Sequence, residues 1–265
     1  MKIIAIEDAR YEIPSEWNDL TRKQLILLIQ LSEKKMSYME LQLKFFLHCI
    51  RGSVRENITT GLFNVKTPQG RHSLFADEFT SILYVFDFLF EEEESGKRVI
   101  YPRLLINHFK KVRTGYISIY GPNDMLDNIT YNQFVWLQTW QSRLDDNPKA
   151  IDEFLNVIYS SRAGKQNMRA VRRMPQTVKT GILWFYLGTL RFLEAKFPHV
   201  FGGSSSGENM NVFDNQQRVI DSLADGDVTK KNQVRESLLY DALYSMEMAA
   251  IRMKEIEKQQ KKASK

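Results

Sequence analysis

Between Pro175 and Pro198 lies a stretch that leaves the chain little choice of architecture. Residues Gln176 to Lys196 read as one helix, and from Ile182 to Leu190 apolar side chains fall nearly all round it. A helix that is apolar on every side has to be covered on every side, so the remainder of the chain must wrap it. A bilayer is the other cover for such a helix, but a membrane span needs roughly 20 apolar residues. The longest apolar run here, Ile182 to Leu193, is shorter and contains Arg191. The helix is therefore expected at the centre of a soluble protein. With 43% hydrophobic and 12% aromatic residues among 265, the chain has the material to build that cover.

Other helices announce themselves by their caps. Thr21 with Gln24, Ser37 with Glu40 and Thr130 with Gln133 each have the spacing of a capping box, in which hydroxyl and N3 side chain each satisfy an orphan amide. They predict helices from Thr21 to about Leu31, from Ser37 past Cys49, and through Phe134 and Leu144. Further helices are expected over Asp77–Phe90 and from Asn147 to Ile158. Strand signals are sparse. Lys2–Ile6 with Tyr11–Pro14, and Leu62–Val65 with Ser73–Phe75 across Thr67-Pro68-Gln69-Gly70, suggest hairpins; Arg103–Phe109 reads as a short helix, and Tyr116–Tyr120 as a strand or buried extended segment. Gly202-Gly203-Ser204-Ser205-Ser206-Gly207 has the composition of a flexible linker. The expected fold class is thus mainly α: a multi-helix body over residues 1–201 with a small N-terminal β element or hairpin, a linker at 202–210, and a helical C-terminal segment over 211–265. That segment holds helices over Val212–Leu223 and Thr229 to about Lys262. Leu239, Leu243, Met246, Ala250 and Met253 form a heptad-like seam on the last one.

Charge is sorted along the chain. Six bases and no acid lie between Ser95 and Asn123 (Lys97, Arg98, Arg103, Lys110, Lys111, Arg113). Six more, again without an acid, lie between Ser160 and Thr180 (Arg162, Lys165, Arg169, Arg172, Arg173, Lys179). These twelve exceed the net charge of +5, so the rest of the chain is net acidic.

Catalytic patterns are absent. His48, His72, His108 and His199 have no ligand-type partner at helical spacing, no Gly-x-Ser-x-Gly occurs, and Gly202-Gly203 lacks the lysine of a phosphate loop. Cys49, the single cysteine, sits in an apolar helical run and reads as a small buried hydrophobe. The stretch Met1–Arg10 carries no cleavable leader pattern. The reading is a non-enzyme without cofactor or metal, acting by binding. Its candidate partner-binding residues are Leu239, Leu243, Met246 and Met253 on the last helix, and Arg162, Lys165, Arg169, Arg172 and Arg173 in the second basic block. A nucleic-acid binder using blocks 97–113 and 162–179 is the alternative.

Four short stretches carry a family resemblance. They are Ile13-Pro14-Ser15-Glu16-Trp17 with Leu20-Thr21; Tyr120-Gly121-Pro122 with Asp124, Leu126, Asn128 and Thr130; Phe197-Pro198-His199-Val200-Phe201; and Asp227-Val228-Thr229-Lys230 before a final helix. Together the chain resembles proteins encoded among the tail and structural genes of phages and prophages of gut bacteria. The resemblance implies a part in virion assembly, as a tail-assembly chaperone or a minor structural or connector component. It implies other virion or tail proteins as partners, with a second copy of the chain or nucleic acid as further candidates, and no membrane. The expected location is the host cytoplasm during assembly, or the virion. No catalytic residue comes with it.

Overall fold

The structure, a computed structural model, describes residues 1–57, 60–202, 212–224 and 226–263. Most of the expected linker, 203–210, lies outside the described residues. The described chain is mixed α/β rather than mainly α: it is 54% helical and 18% strand overall, with eleven α-helices and with nine strands in four small antiparallel sheets. The chain divides into two compact units, one of residues Met1–His108 with Thr180–Leu187, the other of Phe109–Lys179 with Gly188–Lys265.

The first unit opens with a hairpin, β1 (Lys2–Ile6) and β2 (Ala9–Ile13), in the register Ile4↔Tyr11. Two antiparallel helices follow, α1 (Arg22–Ser32) and α2 (Tyr38–Cys49). The Thr21–Gln24 capping box is complete; Ser37 accepts the Glu40 amide at 3.2 Å. A three-stranded meander comes next: β3 (Ser53–Asn57), β4 (Leu62–Thr67) and β5 (Gly70–Leu74). Strand β3 is polar and almost wholly exposed, held by backbone pairing to β4, so no alternation in the sequence betrays it. The helix expected to Phe90 ends earlier. It comprises α3 (Ala76–Leu83), a 3-10 segment (Tyr84–Leu89), and then a hairpin of β6 (Phe90–Glu92) with β7 (Arg98–Ile100). The acidic run reads as a solvated turn, yet Glu92 stands opposite Arg98 and Glu91 opposite Val99, a pairing that only tertiary context sets. Residues 101–108 are irregular where a short helix was expected. Trp17 (buried) meets Trp184 edge to face at 5.8 Å and donates to the Phe88 carbonyl at 3.0 Å; Phe45 and Phe86 pack edge to face at 5.3 Å.

The second unit begins with the hairpin β8 (Lys111–Thr114) and β9 (Ile117–Tyr120), turning at Gly115 with φ +65°. In β8 the bases alternate with buried Val112 and Thr114, so a strand was hidden inside the first basic block. Helices α4 (Tyr131–Gln141), α5 (Ala150–Ile158) and the short α6 (Met168–Arg172) follow. Helix α7 (Gln176–Lys196) forms over the predicted span, and no residue between Thr177 and Leu193 is exposed. Its middle, Thr180–Leu187, is counted with the first unit and its two ends with the second. Beyond it come α8 (Pro198–Phe201), α9 (Val212–Leu223), α10 (Val228–Glu236) and α11 (Leu239–Ala263).

The last helix expected from the sequence is broken in two at Ser237-Leu238. There the backbone leaves helical pairing for a bridge to Thr130: Tyr131 N–H donates to Ser237 O at 2.9 Å, and Leu239 N–H donates to Ile129 O at 3.0 Å. The two sides of the break differ in burial: α10 buries no residue, whereas Leu239, Ala242 and Leu243 at the start of α11 are buried.

Candidate partner-binding surfaces

The residues singled out on α11 end in two environments. Leu239 and Leu243 are enclosed in the core of the second unit, and Met246 is half-buried. Met253 stands outside at 66% exposure. From Arg252 to Lys262 every residue of the helix is exposed, so α11 is anchored over its first turns and projects over its last. Ile256, 53% exposed, lies three residues beyond Met253 and on the same side of the helix. That pair was legible as i, i+3 spacing, but the polar surroundings masked it.

The anchor is built from the stretches that carry the resemblance. Glu247, buried, accepts the amides of His199 at 3.0 Å and Val200 at 3.1 Å, and its other oxygen lies 2.6 Å from His199 Nδ1. The carboxylate thereby satisfies the orphan amides at the start of α8. Tyr240 donates its hydroxyl to Met125 O at 3.0 Å; burial pushes that hydroxyl's pKa up to about 12, so it stays protonated. Met125 and its neighbour Leu126 both have positive φ, 56° and 59°, a conformation that costs a non-glycine residue about 1–2 kcal/mol. Lys196 Nζ sits among four aromatic rings, 5.1 Å from the centroid of Tyr240, 5.4 Å from Tyr244, 5.6 Å from Phe197 and 5.7 Å from Phe192. Asp227 caps α10 by accepting the Thr229 amide at 2.9 Å. The Thr229 hydroxyl, donating at 2.7 Å, and then that amide hold its carboxyl below the usual range.

The two basic blocks differ in fate. In the first, Arg98 pairs with Asp87 at 3.1 Å, Arg103 with Glu91, and Lys110 with Asp124 at 2.6 Å; Lys111 lies over the Tyr120 ring. Three of its six bases thus have a carboxylate partner, and its members are divided between the two units. In the second, Lys179 is internal and paired with Asp152 at 2.5 Å. Arg162, Lys165, Arg169, Arg172 and Arg173 are all exposed, and none forms an ion pair with a described residue. They surround α6 and the loop before it.

Beside Arg162 a polar groove of about 320 Å³ is lined by Tyr120, Gly121, Asn128, Gln133 and Ser160. Its walls are joined by the Tyr120–Ser160 bridge, with N–H to O distances of 2.8 and 3.0 Å. Much of its polar lining is already engaged: Gln133 caps α4 and donates to Val157 O at 3.0 Å, and Asn128 accepts the Asn123 amide at 2.8 Å. What remains is the Arg162 guanidinium at the rim.

Among the described residues, no group of three or more His, Cys, Asp and Glu side chains is placed to hold a metal ion, and no helix is long and apolar enough to cross a membrane. No family model, no curated protein and no solved structure matches this chain.

Proposed function

We propose that this protein serves in phage virion morphogenesis by protein–protein contact, most specifically in tail assembly, as a chaperone or a minor structural or connector component. The observation that carries the contact role is the projecting end of α11. A helix whose base is clamped by Glu247, Lys196 and Tyr240 while all eleven residues from Arg252 to Lys262 are exposed is suited to present a partner-binding face. Met253 supplies an adaptable apolar contact, and Ile256 extends it along the helix. The phage assignment rests on the resemblance of the four stretches described above. Co-expression with the products of the genes flanking this one tests it. A stable complex with a tail or structural protein is expected, and no complex with any of them contradicts the proposal.

A second reading keeps the uncompensated bases at Arg162, Lys165, Arg169, Arg172 and Arg173 as a nucleic-acid contact. A gel shift that weakens steeply with salt supports it, because phosphate contacts release counterions. Unchanged migration at low salt removes it.

A further inference from the structure

In the first unit, α1 and α2 lie side by side and leave an open trough of about 1000 Å³ between them. Its floor is apolar: Leu27, Leu31 and Leu47. Cys49 lies at one end, where Gln24 Nε2 donates to its Sγ at 3.4 Å and ties the two helices together. Its rim is cationic: Lys23, Lys44 and Arg51 line it and no carboxylate does. Lys44 is offset by Glu40 at 2.6 Å, whereas Lys23 and Arg51 form no ion pair with a described residue. Arg51 is held at the rim by a left-handed backbone, φ 53°, which a non-glycine residue adopts at a cost of about 1–3 kcal/mol.

We infer that this trough is a docking site for an acidic amphipathic helix of a partner protein. An apolar floor with a charged rim is the form of a helix-in-groove site, where leucine-type anchors enter the floor and flanking charges set the register. Length agrees: α1 and α2, of 11 and 12 residues, run for roughly 17 Å at 1.5 Å per residue, which is about three turns of a bound helix. Charge argues against a second copy as the occupant. The projecting end of this chain's own α11, Arg252–Lys262, carries five bases against two acids and would meet a rim of its own sign. It also argues against a single-stranded nucleic acid, since the floor offers leucines and no aromatic platform for bases. This inference goes beyond the assembly role and does not need it, as the trough's chemistry is the same whatever pathway supplies the partner.

The experiment uses the whole chain and a synthetic amphipathic peptide of about 18 residues, five helical turns. The peptide carries leucine at i, i+3, i+4 and i+7 with glutamate elsewhere, and its twin has lysine in place of glutamate. Fluorescence anisotropy is expected to show the acidic peptide binding at least about tenfold tighter than its twin, with the preference lost in Lys23→Glu/Arg51→Glu. Burial pushes the Cys49 thiol up to about 12, so it should react slowly with maleimide, and the bound acidic peptide should slow it further by about fivefold or more, as expected of a thiol under a docked helix. That readout needs no variant, and it separates this trough from the Arg162–Arg173 surface. Equal binding of both peptides, an unaltered preference in the double variant, unaltered Cys49 labelling, or stronger Cys49 protection by a single-stranded oligonucleotide would each overturn the inference.

Discussion

Glu7 sits in the turn of the first hairpin with φ 53°, and its carboxylate lies 3.0 Å from Nδ1 of the buried His72 and accepts the Ser73 amide at 3.2 Å. On its other side His72 Nε2 is 2.9 Å from the Tyr11 hydroxyl, which lies 2.6 Å from Thr67 Oγ1. With Nδ1 donating to the carboxylate, Nε2 accepts from Tyr11, and the chain of hydrogen bonds fastens hairpin β1–β2 to strand β5. The hydrogen bond from His72, followed by that from Ser73, holds the Glu7 carboxyl below the ordinary carboxylate range. A depressed folded-state pKa contributes stability that is complete above the ordinary glutamate range and is lost as pH falls through the depressed value. Thermal unfolding of wild type and Glu7→Gln from neutral pH to about pH 3 should therefore show a gap that closes on acidification; a gap that widens would refute the linkage. Two other residues carry sharp expectations. A Cβ on Gly121 would lie 2.3 Å from Cζ of Tyr159, whose hydroxyl donates to Phe109 O at 2.8 Å. Gly121→Ala should cost about 1–3 kcal/mol in chemical denaturation, as an overpacked site does. Lys196→Gln empties the aromatic cage and should cost about 0.5–1 kcal/mol, read as a drop of a few degrees in Tm.

At the scale of elements, caps were the most readable feature. Thr21–Gln24 and Thr130–Gln133 both form complete boxes, because a capping box is a local arrangement that needs no tertiary partner. Helix α7 was legible for the opposite reason: an apolar circumference admits one environment only. Strands were legible where apolar or β-branched runs marked them, as at Lys2–Ile6 and Tyr116–Tyr120, or where turn residues did, as at Pro68–Gly70. Strand β3 is polar, β6 lies in an acidic run, and β8 alternates within a basic block, so each owes its existence to a neighbour's backbone rather than to its own pattern. The same holds for the break at Ser237-Leu238, made by hydrogen bonds to the segment around Thr130. Replacing Tyr131 with Pro, a residue tolerated at a helix's first position, removes the amide that donates to Ser237 O. Hydrogen exchange should then report faster opening at the start of α11 than at its middle; uniform protection would show that the bridge does not hold the two helices.

On the scale of the whole molecule, charge was legible as composition but not as surface. Two acid-free blocks looked alike in sequence. The fold compensates half of the first, through Asp87, Glu91 and Asp124 from other segments, and leaves five bases of the second facing solvent. Likewise the seam on α11 reads as one stripe, whereas the structure encloses Leu239 and Leu243 and projects Met253. The trough between α1 and α2 was invisible in sequence because its rim is assembled from residues of two helices and the loop after them. The proposed function places the working contact at the projecting end of α11. Hydrogen exchange on the complex with whichever flanking-gene product binds on co-expression tests that most directly. Amides from Arg252 to Lys262, in an exposed helical end and therefore weakly protected in the chain alone, are expected to gain protection in the complex, and Met253→Asp/Ile256→Asp should abolish the complex without lowering Tm. A complex that forms with exchange over 252–262 unchanged, or that the double variant forms equally well, would contradict it.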